Sequence, residues 1–135
     1  MKKSMISLLV IIILAACSGG SSAAIQGEWK LVSHGSASSQ MPAAPDVDTS
    51  IEFGADGKLS GSVGCNSFGG DYSVDGNTIK FSPITSTLMF CDGPVGEQET
   101  VTLNVLYESA TFVLDGNTLT ITSADRNSVI VLERK

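Results

Sequence analysis

The architecture of this chain is most constrained at residues 64–72, which read Gly64-Cys65-Asn66-Ser67-Phe68-Gly69-Gly70-Asp71-Tyr72. Four of these nine residues are turn formers, and glycine and asparagine tolerate positive φ better than most residues. The segment therefore predicts a sharp turn or bulge between two strands, with strained backbone at Gly64 and Asn66. The rings of Phe68 and Tyr72 are expected to be buried against the flanking strands.

The first sixteen residues have the pattern of a signal peptide. Lys2 and Lys3 precede a mostly apolar run of ten residues, which would make only about 15 Å of helix, half of a hydrocarbon core. The sequence Leu14-Ala15-Ala16-Cys17 resembles a bacterial lipobox, which implies cleavage of residues 1–16 and acylation of Cys17. Residues 17–24 are then a flexible tether and residues 25–135 one domain. An ordinary signal peptide with a chance cysteine is the alternative.

The two other cysteines are Cys65 and Cys91, and Cys91 ends the run Thr87-Leu88-Met89-Phe90-Cys91. With Cys17 acylated they form an even pair in an oxidising compartment, where such pairs commonly bridge. The predicted disulfide closes a loop of about 26 residues and is worth roughly 3.5 kcal/mol in chain entropy. Two buried free thiols that pack as small apolar groups are the alternative.

Charge excludes some classes of partner. Loss of Lys2 and Lys3 reduces 8 basic residues to six, against 14 acidic residues, so the mature chain has a net charge of −8. Such a domain does not bind nucleic acid, and it has no polybasic patch for anionic lipid. Membrane attachment then depends on the acyl chains. Ser18 after the modified cysteine implies the outer membrane, facing the periplasm, in a Gram-negative cell.

Alternating apolar residues predict a sheet of short strands. Residues 25–34 place Ile25, Trp29 and Leu31 on one face, which indicates a half-buried strand with Trp29 as a core anchor. Gly35 to Asp48, rich in Ser, Ala and Pro, is expected to be a surface loop. Further strands are predicted at residues 51–53, 59–63, 84–90, 110–114, 117–123 and 128–133, with a hairpin turn at 55–58.

A weak internal repeat predicts two more hairpin turns. Residues 74–81 and 114–121 both read apolar–Asp-Gly-Asn-Thr followed by alternating residues. Asp-Gly supplies the positive φ of a tight turn. A calcium loop is the alternative, but the repeat lacks the further carboxylates that such a site needs.

One helix is predicted near residues 95–109, where Glu97 and Glu99 suit the positive end of a helix dipole although the β-branched residues oppose a helix. The predicted fold class is mainly β (α+β). It is a strongly curved antiparallel sheet or partly closed β-barrel of about eight strands, with the helix over one opening or face.

Several motifs resemble the META/HslJ domain family. They are Gly27-Glu28-Trp29-Lys30-Leu31 near the start, the Gly-Cys-Asn-x-Phe-x-Gly pattern that begins at Gly64, and the Thr-x-Met-x-Cys element that ends at Cys91. The resemblance extends from Ile25 to Glu133. The motif residues that we take from it are Trp29, Gly64, Asn66, Phe68, Gly69, Tyr72 and Met89.

The resemblance implies a compact β-barrel-like domain found in bacterial envelope proteins, many of them lipoproteins linked to stress response, antibiotic tolerance or virulence. It brings no catalytic residue, metal ligand or cofactor. The leading hypothesis is a non-enzymatic envelope lipoprotein that binds a partner protein or a small apolar ligand. A hollow barrel interior favours the ligand, and a filled one favours protein contacts.

Two enzymatic or metal-binding hypotheses depend on the single histidine, His34. A hydrolase with a Ser-His-Asp arrangement would need His34 as its base, and the Gly-x-Ser-x-Gly elbow is missing from the sequence. A zinc or redox site would combine His34 with Cys65 and Cys91, whose spacing fits no standard signature. The preferred interpretation of His34 is a solvated residue at the edge of a loop.

Overall fold

The computed structural model of the protein describes residues 22–135. The predicted signal peptide, the acylated Cys17 and the first part of the tether lie outside the described residues. Ser22–Ala24 form a 3-10 turn, and Ile25 directly after it is fully buried. Within residues 22–135, no helix has the length and apolar character needed to cross a membrane.

The described residues form ten strands and one helix. The strands are β1 Gly27–Ser36, β2 Ser39–Pro42, β3 Ser50–Phe53, β4 Lys58–Ser62, β5 Ser67–Asp75, β6 Thr78–Phe81, β7 Thr85–Ser86, β8 Ser109–Asp115, β9 Thr118–Ser123 and β10 Val129–Arg134; the helix α1 is Gly93–Val105. Eight strands form a closed antiparallel barrel in the order β1-β3-β4-β5-β6-β8-β9-β10, and β10 pairs back to β1. Two short strands lie outside this ring: β2 pairs with β1, and β7 pairs with β5. The predicted class, mainly β with one helix, is confirmed, and the barrel closes fully.

The seam between β1 and β10 closes the barrel. It runs from the pair Trp29↔Arg134 to the pair Gly35↔Val129, with a register shift between Leu31 and Ser33. The shift is a bulge-like irregularity, and such features increase the local twist that a small barrel requires. The helix packs on β10, where the consecutive residues Val129 and Ile130, which point to opposite faces of the strand, are both buried.

The barrel interior is filled with side chains. The inward-facing residues of the strands form one contiguous buried cluster, together with residues from α1 and the turn that follows it. This filling of the barrel centre favours protein contacts over an enclosed apolar ligand. The largest fully buried side chains are Trp29, Phe53, Ile25, Ile51, Leu59, Ile79, Leu106, Leu119, Ile121, Ile130, Leu132 and His34.

The two ends of the barrel are built differently. The chain enters β1 at the end that also carries the tight turns 54–57, 76–77 and 116–117, which we call the entry end. The helix spans the opposite opening, which we call the helix end. It contacts β1, β9 and β10 on one side, and Gln98 donates a hydrogen bond to the Val63 carbonyl on the other.

Both Asp-Gly hairpins are confirmed. Asp75 pairs with Thr78 and Asp115 with Thr118, which leaves two-residue loops between the strands. Gly76 and Gly116 have φ of 60° and 58°, the left-handed conformation that glycine adopts at little cost.

Three local predictions are wrong in their bounds. The predicted loop at 35–48 contains β2, whose four residues are all exposed on the outside of β1 and therefore show no alternation. The predicted strand at 84–90 is reduced to β7, because the backbone follows β5 only as far as Thr87 and at Met89 bonds to the Asn66 side chain instead. The helix begins at Gly93 rather than near 95, since proline is well tolerated in a first turn, and it ends at Val105.

We expect Phe68→Ala to destabilise the domain by about 3–5 kcal/mol, because the ring is buried in a packed core against Gly61. Phe90→Ala is the matched control: its ring is exposed, and the same change should cost less than about 0.5 kcal/mol. Urea unfolding of both variants measures the difference. Equal losses of stability would contradict the packing described here.

Candidate functional site

The turn between β4 and β5, residues 63–66, is joined to the segment before the helix. Cys65 and Cys91 form a disulfide with their Cα atoms 5.7 Å apart, which confirms the predicted bridge. The predicted backbone strain is wrong, because neither Gly64 nor Asn66 has a positive φ. Gly64 is needed for a different reason: a Cβ there would lie 2.5 Å from the Glu99 carboxylate oxygen and 3.0 Å from the Glu99 Cβ.

Asn66 holds the segment and the helix together through its side chain. Its Nδ2 donates to Glu99 Oε1 at 2.6 Å and to the Met89 carbonyl at 3.0 Å. Its Oδ1 accepts from the Met89 backbone N–H at 2.7 Å and from the Thr87 hydroxyl at 2.9 Å. The Asn66 backbone N–H donates to the other Glu99 oxygen at 2.9 Å. This arrangement, the Asn66–Glu99 clamp, is almost fully buried.

The clamp presents three consecutive apolar side chains to solvent. Leu88 is 95% exposed, Met89 63% and Phe90 90%. Single exposed apolar residues are ordinary on protein surfaces, but a contiguous group marks an interaction site. We call Leu88-Met89-Phe90 the apolar tip. Its backbone is fixed by Asn66 at its centre and by the disulfide at its end, so the tip is held outward on a rigid support.

A groove continues the surface beside the tip. It has a volume of about 510 Å³ and lies between the β6–β7 segment and the last turn of α1. A shallower hollow of about 440 Å³ runs along the tip itself and shares Ser86 and Leu103 with the groove, so the two are continuous. The apolar lining of the groove comes mainly from Phe81, Pro83, Ile84, Leu103, Leu106 and Tyr107.

The motif residues divide between the core and the clamp. Trp29 is fully buried, donates from Nε1 to the Ile25 carbonyl at 2.8 Å and has the Arg134 guanidinium 4.2 Å from its ring centre.

Tyr72 donates its hydroxyl to the Gly54 carbonyl at 2.7 Å. Phe68 is in the core, and Gly69 pairs with Ser60 of β4 and Thr85 of β7. Gly64, Asn66 and the backbone of Met89 belong to the clamp.

Sequence reasoning missed two parts of the site. The sequence places Glu99 only at the start of a helix, whereas it lies in the second turn and faces inward. The tip falls within the strand predicted at residues 84–90. The sequence does carry a signal against a strand here: Leu88-Met89-Phe90 does not alternate apolar with polar residues, and it is followed by Cys91 and the turn-forming Asp-Gly-Pro.

His34 is buried, at 1% exposure, and the expectation of a solvated loop edge is wrong. It lies within β1, between Met41 of β2 and Ile130 of β10, and its Nδ1 has no hydrogen-bond partner. Burial lowers the pKa of His34 below its ordinary 6.5, and the nearby Glu97 opposes this only in part. Across the described part of the chain, no three His, Cys, Asp or Glu side chains come together in a way that could hold a metal.

We expect Glu99→Gln to destabilise the domain by about 1–3 kcal/mol, because an amide nitrogen would face the donors of Asn66 and leave buried groups unpaired. Glu97→Gln, on the exposed face of the same helix, is the control and should change stability by less than about 0.5 kcal/mol. Urea unfolding of the oxidised variants gives both values. A Glu99→Gln variant as stable as the control would show that the clamp contributes little.

Acidification should destabilise the domain through His34. The unfolded chain binds a proton near pH 6.5, whereas the folded chain binds it only at lower pH, so stability falls as the pH drops from about 7 towards the folded pKa. His34→Leu should make the unfolding free energy depend less on pH between about pH 7.5 and 5, a range above the pKa values of most carboxylates. If the unfolding free energies of the wild type and of His34→Leu changed with pH in parallel, this role of His34 would be contradicted.

Three solved structures share the fold at low sequence identity. An NMR structure of a protein from Burkholderia xenovorans has a TM-score of 0.66 and 19% identity, covering 100% of this chain and 99% of that one. A second NMR structure has a TM-score of 0.61 and 21% identity, covering 78% and 87%. A crystal structure of a DUF4847 family protein from Bacteroides vulgatus ATCC 8482 has a TM-score of 0.57 and 18% identity, covering 82% and 93%.

These structural likenesses show the fold alone. No curated protein sequence matches the chain. The family comparison is more specific, because the META domain model matches residues 22–135, which are all of the residues that the structure describes. That match includes the barrel, the clamp and the apolar tip. The chain therefore belongs to the META domain family.

Proposed function

We propose that this protein is a non-enzymatic envelope lipoprotein that binds a partner protein through the apolar tip, in envelope stress response or resistance. The observation that carries the proposal is the exposure of Leu88 and Phe90 on a loop that the clamp and the disulfide hold rigid. A rigid loop loses little conformational entropy on binding, so the free energy gained from apolar contact is not offset by the cost of ordering the loop.

The filled interior supports a protein partner over an enclosed apolar ligand. Trp29, Phe53 and Leu132 are among the side chains that occupy the centre of the barrel. The runner-up, an envelope hydrolase, gains no support from His34, whose ring is buried in β1 without a hydrogen-bond partner at Nδ1. A general base has to reach a nucleophile or a water molecule within hydrogen-bonding distance.

The predicted lipid anchor would place the tip away from the bilayer. An extended tether from Cys17 to Ser22 reaches about 18 Å at most. It joins the barrel at the entry end, and the tip lies at the helix end. The nine residues of β5, tilted as in a small barrel, separate the two ends by about 20–25 Å. The tip would therefore face the periplasmic space, where a protein partner can reach it.

Site-specific photocrosslinking in cells tests this proposal. A benzoylphenylalanine at position 90 should give one discrete protein adduct, and the same group at Val113, which is also exposed but on β8, should not. For the partner so identified, Leu88→Ser with Phe90→Ser should weaken binding roughly tenfold or more, as expected for loss of buried apolar anchors. Val113→Ser should leave the affinity unchanged.

Two results would overturn the proposal. One is an absence of adducts at position 90 under both ordinary and envelope-stress conditions. The other is the same adducts at both positions, because adducts without positional preference report random collision.

A further inference from the structure

We propose that residues 85–90 form an open strand edge, to which a partner protein adds an extended apolar segment as a further β-strand. This inference rests on the proposed partner-binding function and deepens it, because it specifies that the partner binds through its backbone as well as its side chains. Three observations carry it: the alternation of backbone hydrogen bonds in this segment, the groove in front of it, and a sequence without the residues that usually protect an edge.

Every second residue of the open edge bonds inward, towards β5 and the turn before it. Thr85 pairs with β5, and Thr87 donates its backbone N–H to the Ser67 carbonyl at 3.0 Å. Met89 continues the alternation, because its N–H and its C=O both bond to the Asn66 side chain, at 2.7 Å and 3.0 Å. The Asn66 amide thus takes the place that a residue of a neighbouring strand would have.

The residues in between leave their backbone groups unpaired. Ser86 lies opposite Phe68 of β5, and the hydrogen bond from the next residue, Thr87, makes this the kind of antiparallel pair whose members do not bond to each other. The Ser86 N–H and C=O therefore point away from β5. Leu88 and Phe90 follow at the same spacing, and their N–H and C=O groups bond to nothing in the described part of the chain.

The open edge faces the apolar groove. β7 lies on the same side of β5 as β6, and Ser86 lines both the 510 Å³ groove and the hollow along the tip. The opposite wall of the groove includes Leu103 and Leu106. Ligand sites in proteins measure about 300–1,000 Å³, so the groove can take side chains of an added strand. Strand addition obtains affinity from main-chain hydrogen bonds and specificity from such side-chain contacts.

The sequence of the open edge lacks the usual protection against pairing with another chain. Natural proteins protect free edges with charged residues, proline, bulges or a covering element. Residues 84–91 contain no charged residue, proline or glycine, whereas β2, the other strand outside the barrel ring, ends at Pro42. An edge that is fixed, unpaired and apolar is therefore suited to an extended apolar segment of a partner.

Amide hydrogen exchange, measured by NMR on the full lipidated chain in phosphatidylcholine nanodiscs, tests the edge itself. We expect the Thr87 and Met89 amides to exchange at least about tenfold more slowly than the Leu88 and Phe90 amides, because only the first two are hydrogen-bonded. Equal rates would overturn the inference, since they would show that the alternation is missing.

Photocrosslinking in cells tests whether the edge binds the partner. Benzoylphenylalanine at position 107 replaces a largely exposed tyrosine that lines the groove, and it should capture the same protein as position 90. Ser86→Pro removes the outward N–H and obstructs strand addition, so it should lower the adduct yield at position 107 roughly tenfold. Ser86→Ala is the matched control: it keeps the N–H and should leave the yield unchanged.

Ser86→Pro should remain folded, because the Ser86 N–H has no partner in the sheet and Thr85 before it is already extended. Its Tm should stay within about 4 °C of the wild type, whereas Thr87→Pro, which removes the bond to Ser67, should lower the Tm by more. If Ser86→Pro unfolds, amide exchange in the purified position-107 adduct decides. Exchange of the Ser86 and Leu88 amides roughly tenfold slower than in the free chain supports the inference, and unchanged exchange overturns it.

An undiminished adduct yield in folded Ser86→Pro, or capture of different proteins at positions 90 and 107, would overturn the inference. If position 90 still gives its discrete adduct, the proposed function stands, and the partner binds through apolar side chains alone. Failure of the position-90 adduct in the otherwise unchanged protein would reject both. An adduct with the mass of two copies of this chain would overturn the assignment of the edge to a different protein.

Discussion

The hydrogen bonds of Asn66 bring three distant parts of the chain to one point. Those to the Glu99 carboxylate join the turn after β4 to the helix, across 33 residues of sequence, and those to Thr87 and Met89 add the segment before the helix. The disulfide links the turn to the same segment, but it stabilises the fold in a different way. It restricts the unfolded chain, by about 3.5 kcal/mol for a loop of this length, whereas the clamp acts only in the folded state.

This double attachment explains how an apolar tip can stay exposed. A flexible Leu-Met-Phe segment would lower its free energy by folding back onto the neighbouring groove, because burial of each such side chain is worth about 1.5–3 kcal/mol. Asn66 prevents this by holding both the N–H and the carbonyl of Met89, and the disulfide fixes Cys91 two residues on. Exposure of Leu88 and Phe90 is therefore a consequence of buried polar contacts beneath them.

Local sequence signals predicted what depends on local contacts. The alternation around Trp29 and the two Asp-Gly turns were enough to identify strands, the turn formers at residues 64–72 identified the corner, and the even number of cysteines predicted its disulfide. The reasons for Gly64 and Asn66 were wrong, since Gly64 makes room for Glu99 and Asn66 bonds to residues more than twenty positions away. No local pattern encodes such contacts. The prediction for His34 failed for a similar reason: the register shift between Leu31 and Ser33 brings His34 to the buried face of β1, and no local pattern encodes such a shift.

The division of the barrel into two ends also indicates where function can change without loss of the fold. At the entry end the strands are joined by tight turns, and substitutions there act directly on strand pairing. At the helix end the segment after β7, the helix and the turn at Glu108 lie outside the barrel ladder, so their exposed side chains carry few structural duties. Glu108 can keep its unfavourable left-handed backbone conformation there, because the eight-stranded barrel stabilises the domain by more than this conformation costs. A surface of this kind can be fitted to a partner while the core is left intact.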